Sequence, residues 1–238
     1  MKYRILGDNL QVVMVELNPG EKVYAEAGAM NHMSGNMVME AKAKGGLLSG
    51  LKRAFLMKES FFLTEFTPQG GTGFVAFRGN VPGKIMAVNI GPGKEFLVQK
   101  DGFLAAQEGV NLDIAFQKRL GSGFFGGEGF ILEKLSGQGT AFIHAAGDFI
   151  EYDLQPGQML KVSTGCVVGF DSTVSYEIAR VGNIKTMLFG GEGIFVTVLR
   201  GPGKVVLQSM TIANLAMALR PYLPQETSGD DGIRIGFD

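Results

Sequence analysis

The feature that most constrains the fold of this chain is a repetition. Phe125-Gly126-Gly127-Glu128-Gly129 returns as Phe189-Gly190-Gly191-Glu192-Gly193, 64 positions later. Each copy runs into an apolar, strand-like stretch and then a glycine turn: Phe130 to Leu135 before Gly137-Gln138-Gly139, and Ile194 to Leu199 before Gly201-Pro202-Gly203. A weaker third copy lies upstream, where Lys58-Glu59-Ser60 precedes Phe61 to Phe66 and the turn Gly70-Gly71. A second mark keeps nearly the same step. Pro19-Gly20, Pro92-Gly93 and Pro156-Gly157 each precede a short strand-like run, and each run closes on a glycine, at Gly28, Gly102 and Gly165. Proline presets φ at the first central position of a turn, and the glycine beside it accepts a positive φ, so the dipeptide is a turn signal with a mechanism.

Three glycine-punctuated units, each too small for its own core, should stack into one body. The expectation is a single all-β domain over residues 1–238, built of repeats at about 1–78, 79–145 and 146–210. The 36 glycines, about twice the usual share of roughly 7%, fall at turns in no collagen-like period, as many short strands require. Asp148 to Leu154 alternates acidic and apolar residues, the pattern of a strand with one wet face. After Gln208 the period changes: Thr211 can cap a helix carrying Ile212, Leu215, Ala216 and Leu219, which Pro221 stops, and an acidic tail follows.

Charge excludes some functions. With 22 basic and 23 acidic residues the formal net is −1, which gives no global attraction to nucleic acid, and no basic stripe interleaves with aromatics. The single cysteine, Cys166, allows no intrachain disulfide and, flanked by Val167 and Val168, reads as a buried thiol. The N-terminal residues lack the apolar run of a signal peptide, and the longest charge-free stretch, Val205 to Leu219, is short and polar for a membrane span. A cytoplasmic protein is expected, peripheral to a membrane if it meets one.

No constellation signals catalysis. The two histidines, His32 and His144, belong to different repeats, so the imidazole cluster of a barrel metal site is missing; His144 reads as a strand residue on a polar face. Gly-x-Ser-x-Gly is absent, and Gly121 to Gly126 matches a dinucleotide fingerprint only by letter, because glycines and a β-rich run follow where a helix is needed. No catalytic residue, metal or cofactor is expected. The repeated ionisable set is Glu59, Glu128 and Glu192, which either brace their own turns or line a common rim. The first repeat is longer, and its excess holds Leu47, Leu48, Leu51 and Phe55 among Lys52 and Arg53, a basic and apolar patch suited to a membrane surface or protein partner unless it packs on its own domain.

The Pro-Gly and Phe-Gly-Gly-Glu-Gly marks, the segment from Gly45 to Phe62 and the closing Leu219-Arg220-Pro221-Tyr222-Leu223-Pro224 together resemble the altered-inheritance-of-mitochondria family, over roughly residues 1–224. The resemblance implies a fold like that of the tryptophan RNA-binding attenuation protein, a shortened double-stranded β-helix or sandwich, in three pseudo-equivalent repeats and as a homotrimer. It implies a link to membrane organisation and supplies no catalytic residues. The expected function is therefore a non-enzymatic oligomeric scaffold with a membrane or membrane-protein partner and no nucleic acid. A small-ligand or metal-binding β-barrel is the alternative.

Overall fold

The computed structural model describes residues 1–42, 63–118, 129–180 and 195–223. Among them are nineteen strands and a single α-helix. After β1 (Lys2–Leu6) the strands come in three sets of six. The first set is β2 (Val12–Leu17), β3 (Val23–Glu26), β4 (Met30–Met33), β5 (Met37–Lys42), β6 (Leu63–Pro68) and β7 (Gly73–Arg78). The second is β8 (Gly83–Ile90), β9 (Phe96–Gln99), β10 (Phe103–Gln107), β11 (Val110–Lys118), β12 (Phe130–Gly137) and β13 (Gly139–Ala146). The third is β14 (Phe149–Leu154), β15 (Met159–Ser163), β16 (Val167–Asp171), β17 (Ser175–Arg180), β18 (Phe195–Arg200) and β19 (Gly203–Gln208), and the helix α1 (Ile212–Leu219) follows.

Each Pro-Gly joins the first and second strands of its set by the same turn. The N–H groups of Glu21, Lys94 and Gln158 donate to the carbonyls of Asn18, Gly91 and Gln155 at 3.0, 2.9 and 3.0 Å. Gly20, Gly93 and Gly157 sit at φ 87°, 72° and 83°. Proline first and a left-handed glycine second define a type II turn.

The sets do not fold as separate units. In every set the first, third and sixth strands enter one sheet, and the second, fourth and fifth enter the next. Sheet I runs β1-β2-β7-β4, sheet II β5-β6-β3-β10-β13-β8, sheet III β11-β12-β9-β16-β19-β14 and sheet IV β15-β18-β17. The links between sets are β3–β10 and β9–β16, and their registers coincide: Ala25, Tyr24 and Val23 oppose Ala105, Ala106 and Gln107, as Val98, Leu97 and Phe96 oppose Gly169, Phe170 and Asp171. The third strand of each set also breaks register at the same place, between Met30 and His32, Phe103 and Ala105, and Val167 and Gly169.

Three apolar cores lie between successive sheets. Val13, Val15 and Phe77 of sheet I meet Ala25, Phe66, Leu104 and Phe142 of sheet II. Tyr24, Phe103 and Ile143 of sheet II meet Val98, Leu112, Leu135 and Val206 of sheet III. Leu97, Leu132, Phe170 and Val205 of sheet III meet Val162, Ile178 and Leu199 of sheet IV. Sheets II and III are therefore covered on both faces, and β9, β10 and β13 read as near-continuous buried runs rather than alternating ones. No sheet among the described residues closes into a barrel.

Two expectations need correction. Asp148 to Leu154 is dry only at its ends: Phe149 packs against the second core and Leu154 is buried in the third, but Ile150 and Tyr152 are 41% and 42% exposed, because β14 is the outer strand of sheet III. Cys166 is only half-buried, ending the 3-10 turn before β16 and packing against the margin of the third core. Helix α1 forms where expected, with the Thr211 hydroxyl accepting the Asn214 N–H at 3.0 Å, yet none of its residues is buried.

Candidate functional site: repeat junctions and unpaired edges

The residues that the sequence singles out fall outside the described residues: Leu47, Leu48, Leu51, Lys52, Arg53 and Phe55, and the carboxylates Glu59, Glu128 and Glu192. In sequence all of them belong to the connections between the fourth and fifth strands of a set. What the structure does place is the ground between repeats.

At the first junction a small cleft is lined by Glu26, Arg78, Gly79, Asn80, Asp101 and His144. Glu26 ends β3; Asp101 lies in the 3-10 turn that leads into β10. Burial, then the negative charge of Asp101, push the Glu26 carboxyl up to about 8, against a smaller opposite pull from Lys100. His144 comes from β13 and is only 6% exposed, so it does not lie on a polar face as the sequence implied. Burial lowers its imidazole, with a hydrogen bond to the Val81 backbone acting the other way. A carboxylic acid and a neutral imidazole thus share this cleft near neutral pH, beside Arg78 and Asp101. The enclosed space is about 10 Å³, room for roughly one water molecule and not for an organic cofactor. Two glycines make way for the ring: a Cβ on Gly79 would stand 2.2 Å from it, and one on Gly83 would stand 1.8 Å from the Ala145 carbonyl.

At the second junction the matching positions hold neutral groups. Gln99, which ends β9 as Glu26 ends β3, accepts the Asp101 N–H at 2.8 Å and donates to its carboxylate at 3.1 Å. Gln208, five residues past Gly203 as His144 is past Gly139, accepts the Ala146 N–H at 2.9 Å and donates to the Gly165 carbonyl at 2.8 Å. The amide satisfies two backbone groups at once.

A repeated ionisable set that the sequence reading missed is also present. Glu40, Asp113 and Glu177 lie on the fourth strand of each set, all exposed, opposite Glu65, Lys134 and Val198. Each stands 21 residues after its proline, Pro19, Pro92 or Pro156, so the equal spacing was available in the sequence but was hidden by the louder glycine strings. Asp113 reaches across the first junction. With burial as the main cause, the charges of Glu133 and Asp113 raise the Tyr24 phenol, whose hydroxyl donates to the Val110 carbonyl at 2.8 Å.

The two ends of the array differ from its interior. Strands β3 and β9 are paired on both sides, as are β10 and β16, whereas β15 and β4 are each paired on one side only among the described residues. Tyr24 and Leu97 are 3% and 8% exposed, but Lys161 at the same place in β15 is exposed. Phe103 and Val167 are each 1% exposed, while their counterpart Met30 in β4 is half-buried and His32 beyond it is exposed. Among the described residues no cluster of His, Cys, Asp and Glu is placed to hold a metal, and no helix is long and apolar enough to cross a membrane.

Comparison with known proteins agrees with this architecture. The family model described as Mitochondrial biogenesis AIM24 matches residues 3–210. An uncharacterised protein of Streptococcus pyogenes serotype M6 is 27% identical over 224 residues, covering 91% of this chain and 88% of its own. A crystal structure of a Streptococcus pyogenes protein superposes with a TM-score of 0.77 at 25% identity, over 93% of this chain and 99% of that one.

Proposed function

The chain belongs to the Mitochondrial biogenesis AIM24 family, and from that premise we propose that it is a non-catalytic scaffold that works as a homo-oligomer. One observation carries the proposal. The repeats share sheets with their neighbours, and the array ends with half-sheets whose outer strands, β4 and β15, have no partner among the described residues. Sheets of this kind are completed by another chain or protected from one. A trimer would line up nine repeats.

The site chemistry supports a binding role over a reaction. The cleft has room for about one water molecule, and its acid and imidazole are matched by plain amides one repeat later. In this proposal the protein is cytoplasmic and peripheral, and Leu47 to Lys58 is the element that meets a membrane. Light scattering tests the assembly: the expected mass is three times 25.5 kDa, and a monomer at tens of micromolar would remove the scaffold. Flotation with anionic liposomes tests the second part. Binding should fall when Leu47, Leu48 and Leu51 are replaced by Ser, and equal flotation of both proteins would limit the scaffold to protein partners.

A further inference from the structure

We infer that the end of the array from which helix α1 projects docks on an anionic lipid bilayer, with α1 lying in the headgroup region. This rests on the membrane part of the reading above and adds a second contact, built from described residues. The fourth strand of every set ends on a cation: Lys42, Lys118 and Arg180 are the last paired residues of β5, β11 and β17, opposite Leu63, Phe130 and Phe195. These positions belong to sheets II, III and IV. They nevertheless share one end of the array, because three-residue 3-10 turns there step from the end of β9 to the start of β10 and from the end of β15 to the start of β16. Strand pairing places the starts of β6, β12 and β18 beside the ends of β3, β9 and β15.

Helix α1 leaves from this end too. It follows β19, and its cap residue Thr211 stands 3.2 Å from where a Cβ on Gly165, in the turn before β16, would be. An eight-residue helix is marginal without a surface to pack on, yet no residue of Ile212–Leu219 is buried. A helix that is apolar all round needs cover. The one polar side chain of α1, Asn214, is turned into the cap, where its Oδ1 accepts the Thr211 hydroxyl at 2.6 Å. Met217 is 62% exposed, and Tyr222 and Leu223 beyond the helix are 85% and 60% exposed.

Charge and composition select a lipid surface as the cover. From Val205 to Gln225 the only charged residue is Arg220, which follows the helix two positions before Tyr222. An apolar helix closed by a cation and a tyrosine has the composition of an interfacial anchor. Arg78, which ends β7, adds to the three strand-end cations. The described acidic residues at this end offset them little: Asp148 is paired with Lys84 at 2.7 Å and Glu26 is held protonated near neutral pH, which leaves Asp8 and Asp101.

The chain has no tryptophan, so Tyr222→Trp supplies a single reporter in the full-length protein. Its emission should shift to the blue on vesicles of phosphatidylglycerol and phosphatidylcholine, and less on phosphatidylcholine alone. Met217→Glu with Leu219→Glu should weaken flotation about tenfold or more. The melting temperature should stay unchanged, because neither side chain is buried. Changing Lys42, Lys118 or Arg180 to Gln should each cost roughly fivefold, on the anionic vesicles only. If the double variant floats like the wild type while replacing Leu47, Leu48 and Leu51 by Ser still removes flotation, the helix is not the contact, and this inference falls with the reading above intact. A double variant that drops to a lower mass in light scattering overturns it as well, because the helix then packs on another copy. Wild-type protein that floats with neither vesicle overturns both.

Discussion

The first and second junctions between repeats share a backbone and differ in chemistry. Both join the second strand of one set to the third strand of the next in one register, beside a bulge at one place. Yet the first holds Glu26, Arg78 and His144 where the second holds Gln99, His144 and Gln208, and Asp101 of the first gives way to Gly165. The repeats are therefore held together by strand pairing in a shared register and by apolar burial. The polar rim, which is free to vary, decides how each junction responds to pH.

If burial rather than polar chemistry dominates, the largest effect should come from the apolar plug of each junction. Phe142, fully buried and edge-on to Tyr3 at 5.0 Å, occupies in the first junction the place of Val206 in the second. Phe142→Ala should cost about 3–5 kcal/mol and Val206→Ala about 2 kcal/mol in denaturant unfolding. Equal losses would mean that the two junctions are packed alike and that the comparison fails.

The polar contrast predicts that the carboxyl part of the pH dependence belongs to the first junction alone, since Gln99 stands where Glu26 does. Glu26 titrates near 8 in the fold against 4.5 in an open chain. Below 4.5 both states are protonated and nothing is lost; between 4.5 and 8 only the unfolded chain releases the proton, so stability falls as pH rises, by at most roughly 1.4 kcal/mol per unit. Above 8 the loss is constant. His144 has the reverse sense: its lowered imidazole favours the neutral form, so stability is present above 6.5 and is lost as pH falls below it. Glu26→Gln, which copies Gln99, should therefore raise the melting temperature most at pH 8 and hardly at pH 5. A gain equal at both pH values would show that the carboxyl stays solvated.

Gly79→Ala should come next, at about 1–3 kcal/mol, because the new methyl would overlap the His144 ring. The matching residue in the second junction is already Ala145, where the slimmer Gln208 follows. In the variant Gly79→Ala with His144→Gln, most of the loss should return.

How much of this was legible beforehand follows from what each residue type reports. Pro-Gly and the glycine strings name backbone conformations, so the three repeats, their turns and the Thr211 helix cap could be read directly. Sheet membership could not: strands β3 and β10 come from different repeats, and no local signal says that a repeat divides its strands between two sheets. For the same reason His144 was read as polar-faced, since on an ordinary two-layer sandwich its side of β13 would be wet, and only the stacking of sheet I on sheet II buries it. The carboxylates Glu40, Asp113 and Glu177 were visible by spacing alone, but nothing local marks Asp113 as close enough to the preceding repeat for its charge to act on Tyr24. Glu59, Glu128, Glu192 and the Leu47 to Phe55 patch remain sequence expectations, outside the described residues.

The smallest expected effect is also the sharpest check on the shared backbone. Gly20, Gly93 and Gly157 have left-handed φ with nothing within 4 Å of a would-be Cβ. Replacing any of them with Ala meets no steric neighbour and leaves only the cost of a left-handed alanine, about 1 kcal/mol. The three variants should lose that amount alike, whatever the pH, because the turn precedes the strand that forms each link and is independent of the polar rim. If Gly157→Ala, at the turn before β15, which pairs with β18 alone among the described residues, lost more than the others, the turn would be shown to depend on its place at the edge of sheet IV. If Gly20→Ala or Gly93→Ala carried a pH dependence of its own, backbone and rim would be coupled after all, and the separation drawn between the two junctions would not hold.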